Sequence, residues 1–177
     1  EMLEQAVEAL KRGEQPDTAK PLSGGPEVNL RIPALIPEDY LPDVFTRLTL
    51  YKRIAGSKND NQLKELQVEM IDRFGLLPDS AKNLFQVTEL RQRAEKLGIT
   101  RLDAHARGGK LEFAERTPVD PLTIVKLVQS GPNRFKLEGA NALRFVEDSE
   151  TPEERIQVVQ ELLTRLAAQS IQTGAAG

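Results

Sequence analysis

Three acidic side chains lie on one face of a predicted helix in the first half of the chain. Glu65, Glu69 and Asp72 follow one another at spacings of four and three residues, and side chains at these spacings are neighbours on a helix surface. Like charges four residues apart destabilise a helix by about 0.2–0.5 kcal/mol per pair, so folding alone gives little reason to place them there. The chemistry that these three residues, the acidic face, could perform is electrostatic: carboxylates can bind a basic surface of a partner.

The helix that must position the acidic face is predicted from its apolar residues and its ends. Asn59 or Asp60 can cap its start, and Gly75 can end it in a left-handed conformation. A second face is apolar and must pack on something; it consists of Leu63, Leu66, Met70 and Phe74. The alternative interpretation of the acidic face is a solvated surface whose repulsion is offset by Lys64 and Arg73.

The other reactive side chains do not form a recognisable catalytic or metal site. His105 is the only histidine and the chain has no cysteine, so no second imidazole or thiolate can share a metal with it. The sequence also lacks a glycine-rich loop ending in Lys-Ser/Thr and a G-x-G-x-x-G pattern after a strand, which would hold nucleotide phosphates. We therefore expect no catalytic residue, no metal and no cofactor in this chain, which should neither bind nor hydrolyse ATP.

Composition limits the class of partner and the compartment. The 177 residues include 24 Lys and Arg against 27 Asp and Glu, for a net charge of −3, which does not favour nucleic acid as the main partner. The absence of cysteine suits a reducing cytosol. No apolar stretch reaches the roughly 18–20 residues that span a bilayer. A cytoplasmic protein with no membrane partner is the expectation.

Composition also divides the chain into four segments. Residues 1–12 have helical periodicity without a capping residue in front of them, so we interpret them as the end of a preceding helix. Residues 13–26 are rich in Gly, Pro, Ser and Thr and predict a linker. The compact domain is expected to span residues 27–169, and residues 170–177 are expected to form a frayed tail.

Helices are predicted mainly before Gly98 and strands mainly after it. A first strand is predicted over Glu27–Ile32, and the helix that follows Pro42 is predicted to bury Val44, Leu48, Tyr51 and Ala55. Later, Arg107-Gly108-Gly109 predicts a hairpin turn, and a capping box at Thr151 begins the last helix. The predicted fold class is α+β, with a helix-rich first half, short antiparallel strands mostly in the second half and a C-terminal helix.

Three sequence blocks resemble those of a known family. They are Val28-Asn-Leu-Arg-Ile-Pro-Ala-Leu-Ile-Pro-Glu-Asp-Tyr-Leu-Pro-Asp43, Arg47-Leu-Thr-Leu-Tyr-Lys-Arg-Ile-Ala55 and Glu69-Met-Ile-Asp-Arg-Phe-Gly-Leu-Leu-Pro78. In this order they closely resemble the C-terminal regulatory domain of the bacterial transcription-repair coupling factors. The similarity extends over about Val28 to Leu166, nearly the whole compact domain.

The resemblance implies a large ATP-dependent DNA translocase that binds stalled RNA polymerase, pushes it off damaged double-stranded DNA and recruits the excision-repair protein UvrA. The motor, with its ATP and Mg, would lie outside this chain. In that family the C-terminal domain is a regulatory lid, which hides the UvrA-binding surface of the N-terminal module until the motor engages. The resemblance therefore implies an interdomain contact at Glu69 and Asp72, which lie within the third block. Glu65 lies outside that block and is a weaker candidate for the interdomain contact.

Two alternatives from other classes remain open. The domain could be an accessory module that contacts nucleic acid or RNA polymerase through basic residues around the third predicted helix: Lys82, Arg91, Arg93, Lys96 and Arg101. However, Glu89 and Glu95 interrupt these residues, and no aromatic side chain is interleaved for stacking on bases. The other alternative is an independent enzyme whose site has no recognisable motif.

Overall fold

The computed structural model describes the backbone of residues 25–176 and the side chains of residues 25–167. Within this part of the chain the helices are α1 (Val44–Gly56), α2 (Asp60–Phe74), α3 (Asp79–Lys96), α4 (Pro121–Ser130) and α5 (Pro152–Ala176). The strands are β1 (Glu27–Asn29), β2 (Ile99–His105), β3 (Gly108–Phe113), β4 (Phe135–Glu138) and β5 (Ala142–Val146). The predicted helix end at residues 1–12 and nearly all of the predicted linker at residues 13–26 lie outside the described residues. Helix α5 extends into the segment 170–177, and the fraying of that segment stays a prediction because it concerns motion.

The described residues fall into two compact units. Ile32–Gln92 make up the helical unit, which contains α1, α2 and most of α3. Gly25–Arg31 and residues 93–176 make up the sheet unit, which contains the five strands, the end of α3, α4 and α5. Helices therefore dominate the first half and only β1 precedes them, which confirms the predicted α+β class. The boundaries of the predicted domain at residues 27–169 stay a prediction.

The buried stripe of α1 differs from the predicted one. Asp43 caps the helix by accepting a hydrogen bond from the Thr46 N–H at 2.9 Å. The buried residues are Arg47, Leu50, Tyr51 and Ile54, so Val44, Leu48 and Ala55 were wrongly predicted to be buried. The stripe is rotated because the Arg47 guanidinium is buried and donates to the carbonyls of Leu41 and Pro42, at 2.7 and 3.0 Å.

The five strands form one sheet in the order β1-β2-β3-β5-β4. The four strands after Gly98 pair antiparallel, as predicted, but β1 pairs with β2 in parallel, so the sheet is mixed. Strand β1 also ends before the predicted Ile32. The reason is local: the Asn29 side chain accepts a hydrogen bond from the Arg31 N–H at 2.9 Å, and Arg31 has a φ of 56°.

The predicted hairpin between β2 and β3 is present, but its glycines have a different role from the predicted one. Gly108 and Gly109 lie in β3, not in the turn. A Cβ atom on Gly108 would overlap with the carbonyl oxygen of Phe145, and one on Gly109 would overlap with that of Asp103. Close approach of β3 to its neighbours therefore requires both glycines.

One face of the sheet is apolar and the other is charged, as the alternating burial of β2 and β3 requires. Helix α5 contacts β2, and the buried residues of the sheet unit include Leu102, Leu111, Leu143, Val159 and Leu163. On the opposite face, the Glu138 carboxylate lies 2.6 Å from Arg144 and 3.3 Å from Lys110. Such cross-strand pairs account for these surface charges by sheet stabilisation alone.

None of the described helices is long and apolar enough to cross a membrane.

Candidate functional site

Helix α2, which carries the acidic face, begins and ends where its sequence predicts. Asn59 is the N-cap and accepts a hydrogen bond from the Gln62 N–H at 2.9 Å, while the Gln62 side chain accepts one from the Lys58 N–H at 2.7 Å. Gly75 follows the helix with a φ of 95°, and its N–H donates to the carbonyl of Ile71 at 2.9 Å. Hydrogen bonds therefore fix both ends of α2. The position of each residue in the helix then determines whether its side chain faces the core or points outward.

The apolar face of α2 is packed as predicted. Leu63, Leu66 and Met70 are buried. Phe74 is half-buried and meets the ring of Tyr40 edge-on, with 6.3 Å between the ring centroids. The Tyr40 hydroxyl donates to the carbonyl of Gly75 at 2.9 Å, which ties the loop before α1 to the end of α2. This packing leaves the acidic face on the side of the helix away from the core.

Glu69 is already paired inside the helical unit. Its carboxylate accepts two hydrogen bonds from Arg53 of α1, at 2.5 and 2.9 Å, and a longer one from Arg73 at 3.4 Å. The hydrogen bond from Arg53 is the main cause that lowers the pKa of Glu69 to about 2. The side chain remains 37% exposed, so Glu69 holds α1 and α2 together at the surface.

Glu65 and Asp72 differ from Glu69. Both are exposed, and neither forms an ion pair with any residue that the structure describes. The structure therefore brings the three predicted residues onto one helix, but only two of them present carboxylates without an internal partner.

A cavity of about 370 Å³ lies beside the acidic face, where the end of α1 meets α2. Glu65 and Glu69 line it together with Gly56 and Ser57 at the end of α1. The last carbonyls of a helix carry partial negative charge. Arg53, which pairs with Glu69, lines the cavity as well, so Glu65 is the lining carboxylate that has no ion pair among the described residues.

Apolar side chains on the outward face of α2 were missed by sequence reasoning. Val68 is 58% exposed and Ile71 is 38% exposed, and Leu76 beyond the end of the helix is also largely exposed. Val68 lies three residues after Glu65 and four before Asp72, so the same helical spacing that defines the acidic face places it between the two acids. A helical wheel of residues 60–74 places Val68 on the same outward face as the acids, so the sequence alone could have identified it.

Three of the five basic residues of the nucleic-acid alternative are partly buried or paired with another side chain. In the helical unit, burial lowers the pKa of Arg91. In the sheet unit, Arg93 donates to the Thr164 hydroxyl at 2.7 Å and Arg101 pairs with Asp103 at 2.9 Å. Lys82 and Lys96 are exposed. Two exposed lysines are a weak basis for binding a phosphate backbone.

The structure places His105 at the exposed end of β2, where its Nδ1 accepts a hydrogen bond from the Arg107 N–H at 3.2 Å. Over residues 25–167, no three His, Asp or Glu side chains are grouped so that they could hold a metal ion.

The fold and the site together define an α+β domain with a capped, surface-exposed helix that offers free carboxylates beside apolar side chains. Comparison with known proteins assigns the family: residues 30–124 match the TRCF domain, and the chain belongs to the TRCF domain family. It is homologous to transcription-repair coupling factors, proteins of DNA repair that couple repair to transcription.

The chain is also similar to complete transcription-repair-coupling factors. The chain is 45% identical over 97% of its length to the transcription-repair-coupling factor of Escherichia coli K12 and 43% identical over 95% to that of Haemophilus influenzae. It spans about 15% of the length of each. Its fold matches a crystal structure of the C-terminal domain of transcription-repair coupling factor with a TM-score of 0.68 at 23% identity, covering 85% of this chain and 93% of that one.

The pairing of Glu69 with Arg53 is testable by pH titration. Because the folded pKa of about 2 lies below the ordinary 4.5, the stabilisation is present above about pH 4.5 and is lost as the pH falls from 4.5 toward 2. The free energy of unfolding, measured by urea denaturation at several pH values, should therefore fall more steeply in this interval for the wild-type chain than for Glu69→Gln. Arg53→Gln removes the partner instead of the acid, so the free energy of unfolding of this variant should also depend less steeply on pH in this interval. Identical slopes in all three chains would show that the pair does not form.

Proposed function

We propose that this chain is an autoinhibitory interaction domain of a transcription-repair coupling factor. It covers the UvrA-binding surface of the N-terminal module of the same protein, and it does so through the acidic face of α2. The observation that carries the proposal is that Glu65 and Asp72 are exposed, without an ion pair among the described residues, on a helix whose caps and core face are complete.

The electrostatics support a basic partner. Two exposed carboxylates without an ion pair among the described residues cost little while they are hydrated, and they gain energy when a complementary surface meets them. Complementary charge also determines which surface is selected, because like charges face to face at an interface are strongly unfavourable. The paired Glu69 adds to the negative potential of the face while its own geometry stays fixed by Arg53.

Masking has a thermodynamic consequence. If the domain and UvrA compete for one surface of the N-terminal module, each free-energy increment that holds the lid closed weakens UvrA binding by the same amount. Anything that opens the lid must strengthen UvrA binding reciprocally. Regulation of this kind requires an interface of moderate strength, which suits a small set of surface charges.

The remainder of the protein is proposed from the family resemblance described above. The full-length protein would be an ATP-dependent DNA translocase that acts in nucleotide excision repair in the cytoplasm, with RNA polymerase, double-stranded DNA and UvrA as partners. ATP and Mg would be held by its motor, and this chain would contribute no catalytic residue and no cofactor site.

Removal of the domain tests the proposal. A full-length protein that lacks residues 27–176 of this chain should bind UvrA more tightly than the intact resting protein, by about 5- to 150-fold, which is the usual range of coupling between sites. Titration with UvrA, followed by fluorescence anisotropy or calorimetry, gives both dissociation constants. The purified 177-residue chain, added back in trans, should weaken UvrA binding to the truncated protein again. Equal affinity of the intact and truncated proteins for UvrA would exclude masking by this domain.

A further inference from the structure

An exposed apolar strip, Val68 with Ile71, accompanies the two carboxylates of α2 that form no ion pair among the described residues. Val68 and Ile71 are three residues apart and lie side by side on the helix, and both are more than one-third exposed. Glu65 precedes this strip and Asp72 follows it. Val68 therefore lies between the two acids, beside Glu69, and Ile71 flanks Val68 on the side away from Glu69.

Protein interfaces have this arrangement. Their centres are apolar and lose water completely, and their rims are polar and stay hydrated. The centre contributes most of the affinity, while rim charges mainly guide association and specificity. On α2 the candidate centre is Val68 with Ile71, and the candidate rim is Glu65 with Asp72.

We infer that Val68 and Ile71 form the apolar centre of the interface, and that the occupant is a protein surface with an apolar side chain between two cationic ones. This inference rests on the proposed function and deepens it, because it states what the masked surface must contain. Asp72 lies seven positions after Glu65, which corresponds to about 10 Å along a helix axis. The two cations of the partner should therefore be separated by roughly the same distance.

The charges argue against other occupants. A second copy of this chain would bring Glu65 and Asp72 toward their own equivalents, which is repulsive. A nucleic acid or an anionic membrane surface would meet the carboxylates of Glu65 and Asp72, while the nearby cations Arg53 and Arg73 are already paired with Glu69. A basic protein surface satisfies the acids and buries the apolar strip at the same time.

The inference also assigns different roles within the acidic face. Glu69 is held by Arg53 and Arg73, so it supports the shape of the site but does not form its rim. The rim consists of the two acids that have no partner among the described residues. Salt should therefore weaken the rim contacts, while the contact made by Val68 and Ile71 should persist.

The test compares three variants of the full-length protein with the wild type by their affinity for UvrA. Val68→Gln with Ile71→Gln removes the apolar strip, and glutamine supports a helix at least as well as valine and isoleucine do. Leu122→Gln is the matched control, because Leu122 is also an exposed apolar helix residue, at 63%, but lies on α4 of the sheet unit. Far-ultraviolet circular dichroism and thermal unfolding should be the same for all of these proteins.

We expect the double glutamine variant to bind UvrA about tenfold more tightly than the wild type, both in 0.1 M and in 0.5 M salt. Glu65→Gln with Asp72→Gln should raise UvrA affinity in 0.1 M salt and have a smaller effect in 0.5 M salt. Leu122→Gln should not change it. An effect of the acid variant without any effect of the apolar variant would overturn this inference and leave the proposed function standing. No effect of either variant would overturn both.

Discussion

Replacement of Arg155 by alanine is expected to lower the free energy of unfolding by about 3 kcal/mol. The guanidinium is buried and donates to the carbonyls of Leu30 at 3.1 Å and Ser149 at 2.7 Å, and also to the Ser149 hydroxyl at 3.2 Å. Alanine would leave these buried acceptors without a donor and would leave a cavity in place of the side chain. The effect should be large because one side chain joins the end of β1, the segment before α5 and α5 itself.

Arg165 provides the control for this prediction on the same helix. It is exposed, and its guanidinium lies 5.4 Å from the centre of the Phe135 ring, a contact that contributes about 0.5–1 kcal/mol at exposed sites. Urea denaturation of the purified chain should therefore show a much smaller loss for Arg165→Ala than for Arg155→Ala. Equal losses would mean that the buried hydrogen bonds of Arg155 do not determine stability in the sheet unit.

Local signals in the sequence predicted most of the elements. The Asn59 cap and Gly75 fix α2 through hydrogen bonds that span only a few residues, so residue type and spacing placed the end at Gly75 and limited the cap to Asn59 or Asp60. Helix α4 has the same kind of local start, because the Asp120 side chain accepts a hydrogen bond from the Leu122 N–H. Where a prediction failed, as for the length of β1, the cause was the unforeseen hydrogen bond between Asn29 and Arg31.

Contacts between distant residues could not be predicted in this way. The pair of Arg53 with Glu69 joins two helices, and Arg155 reaches Leu30 across 125 positions of sequence. A single sequence gives no measure of such distances. The buried Arg47 illustrates the same limit: its charge predicts exposure, but two backbone carbonyls reverse that preference.

The candidate site was predicted in part. Periodicity placed Glu65, Glu69 and Asp72 on one face, which the structure confirms, but their interdomain role stays a proposal. Two features of the site depend on how α1 and α2 pack. They are the pairing of Glu69 with Arg53 and the exposure of Val68 and Ile71. The resemblance to the TRCF domain family supplied the candidate partner, and the comparisons confirm the family.

Charge reversal at the two free carboxylates should have the largest functional effect. In the full-length protein, Glu65→Lys with Asp72→Lys would place lysines against the basic surface that we propose as the partner, which costs much more than the loss of an exposed ion pair. The lid should open, and the resting protein should bind UvrA more tightly by about 5- to 150-fold. Glu69 is left unchanged because its reversal would also break the pair with Arg53.

A matched reversal separates this effect from a general change in charge. Glu115→Lys with Glu161→Lys alters the net charge by the same amount, at two exposed positions of the sheet unit. This control should bind UvrA like the wild type. The purified 177-residue chains should unfold at nearly the same temperature, because all four positions are exposed.

The dissociation constant of UvrA for the resting full-length protein is the measurement that tests the account most directly. Titrations of the wild type, the Glu65→Lys/Asp72→Lys variant and the Glu115→Lys/Glu161→Lys control should be made at one salt concentration near 0.1 M, where surface charges still interact over about 10 Å. If the acidic face masks the UvrA-binding surface, the first variant alone should bind UvrA more tightly. The same dissociation constant for all three proteins, with the domain folded, would contradict it and would leave the acidic face of α2 as a solvated helix surface.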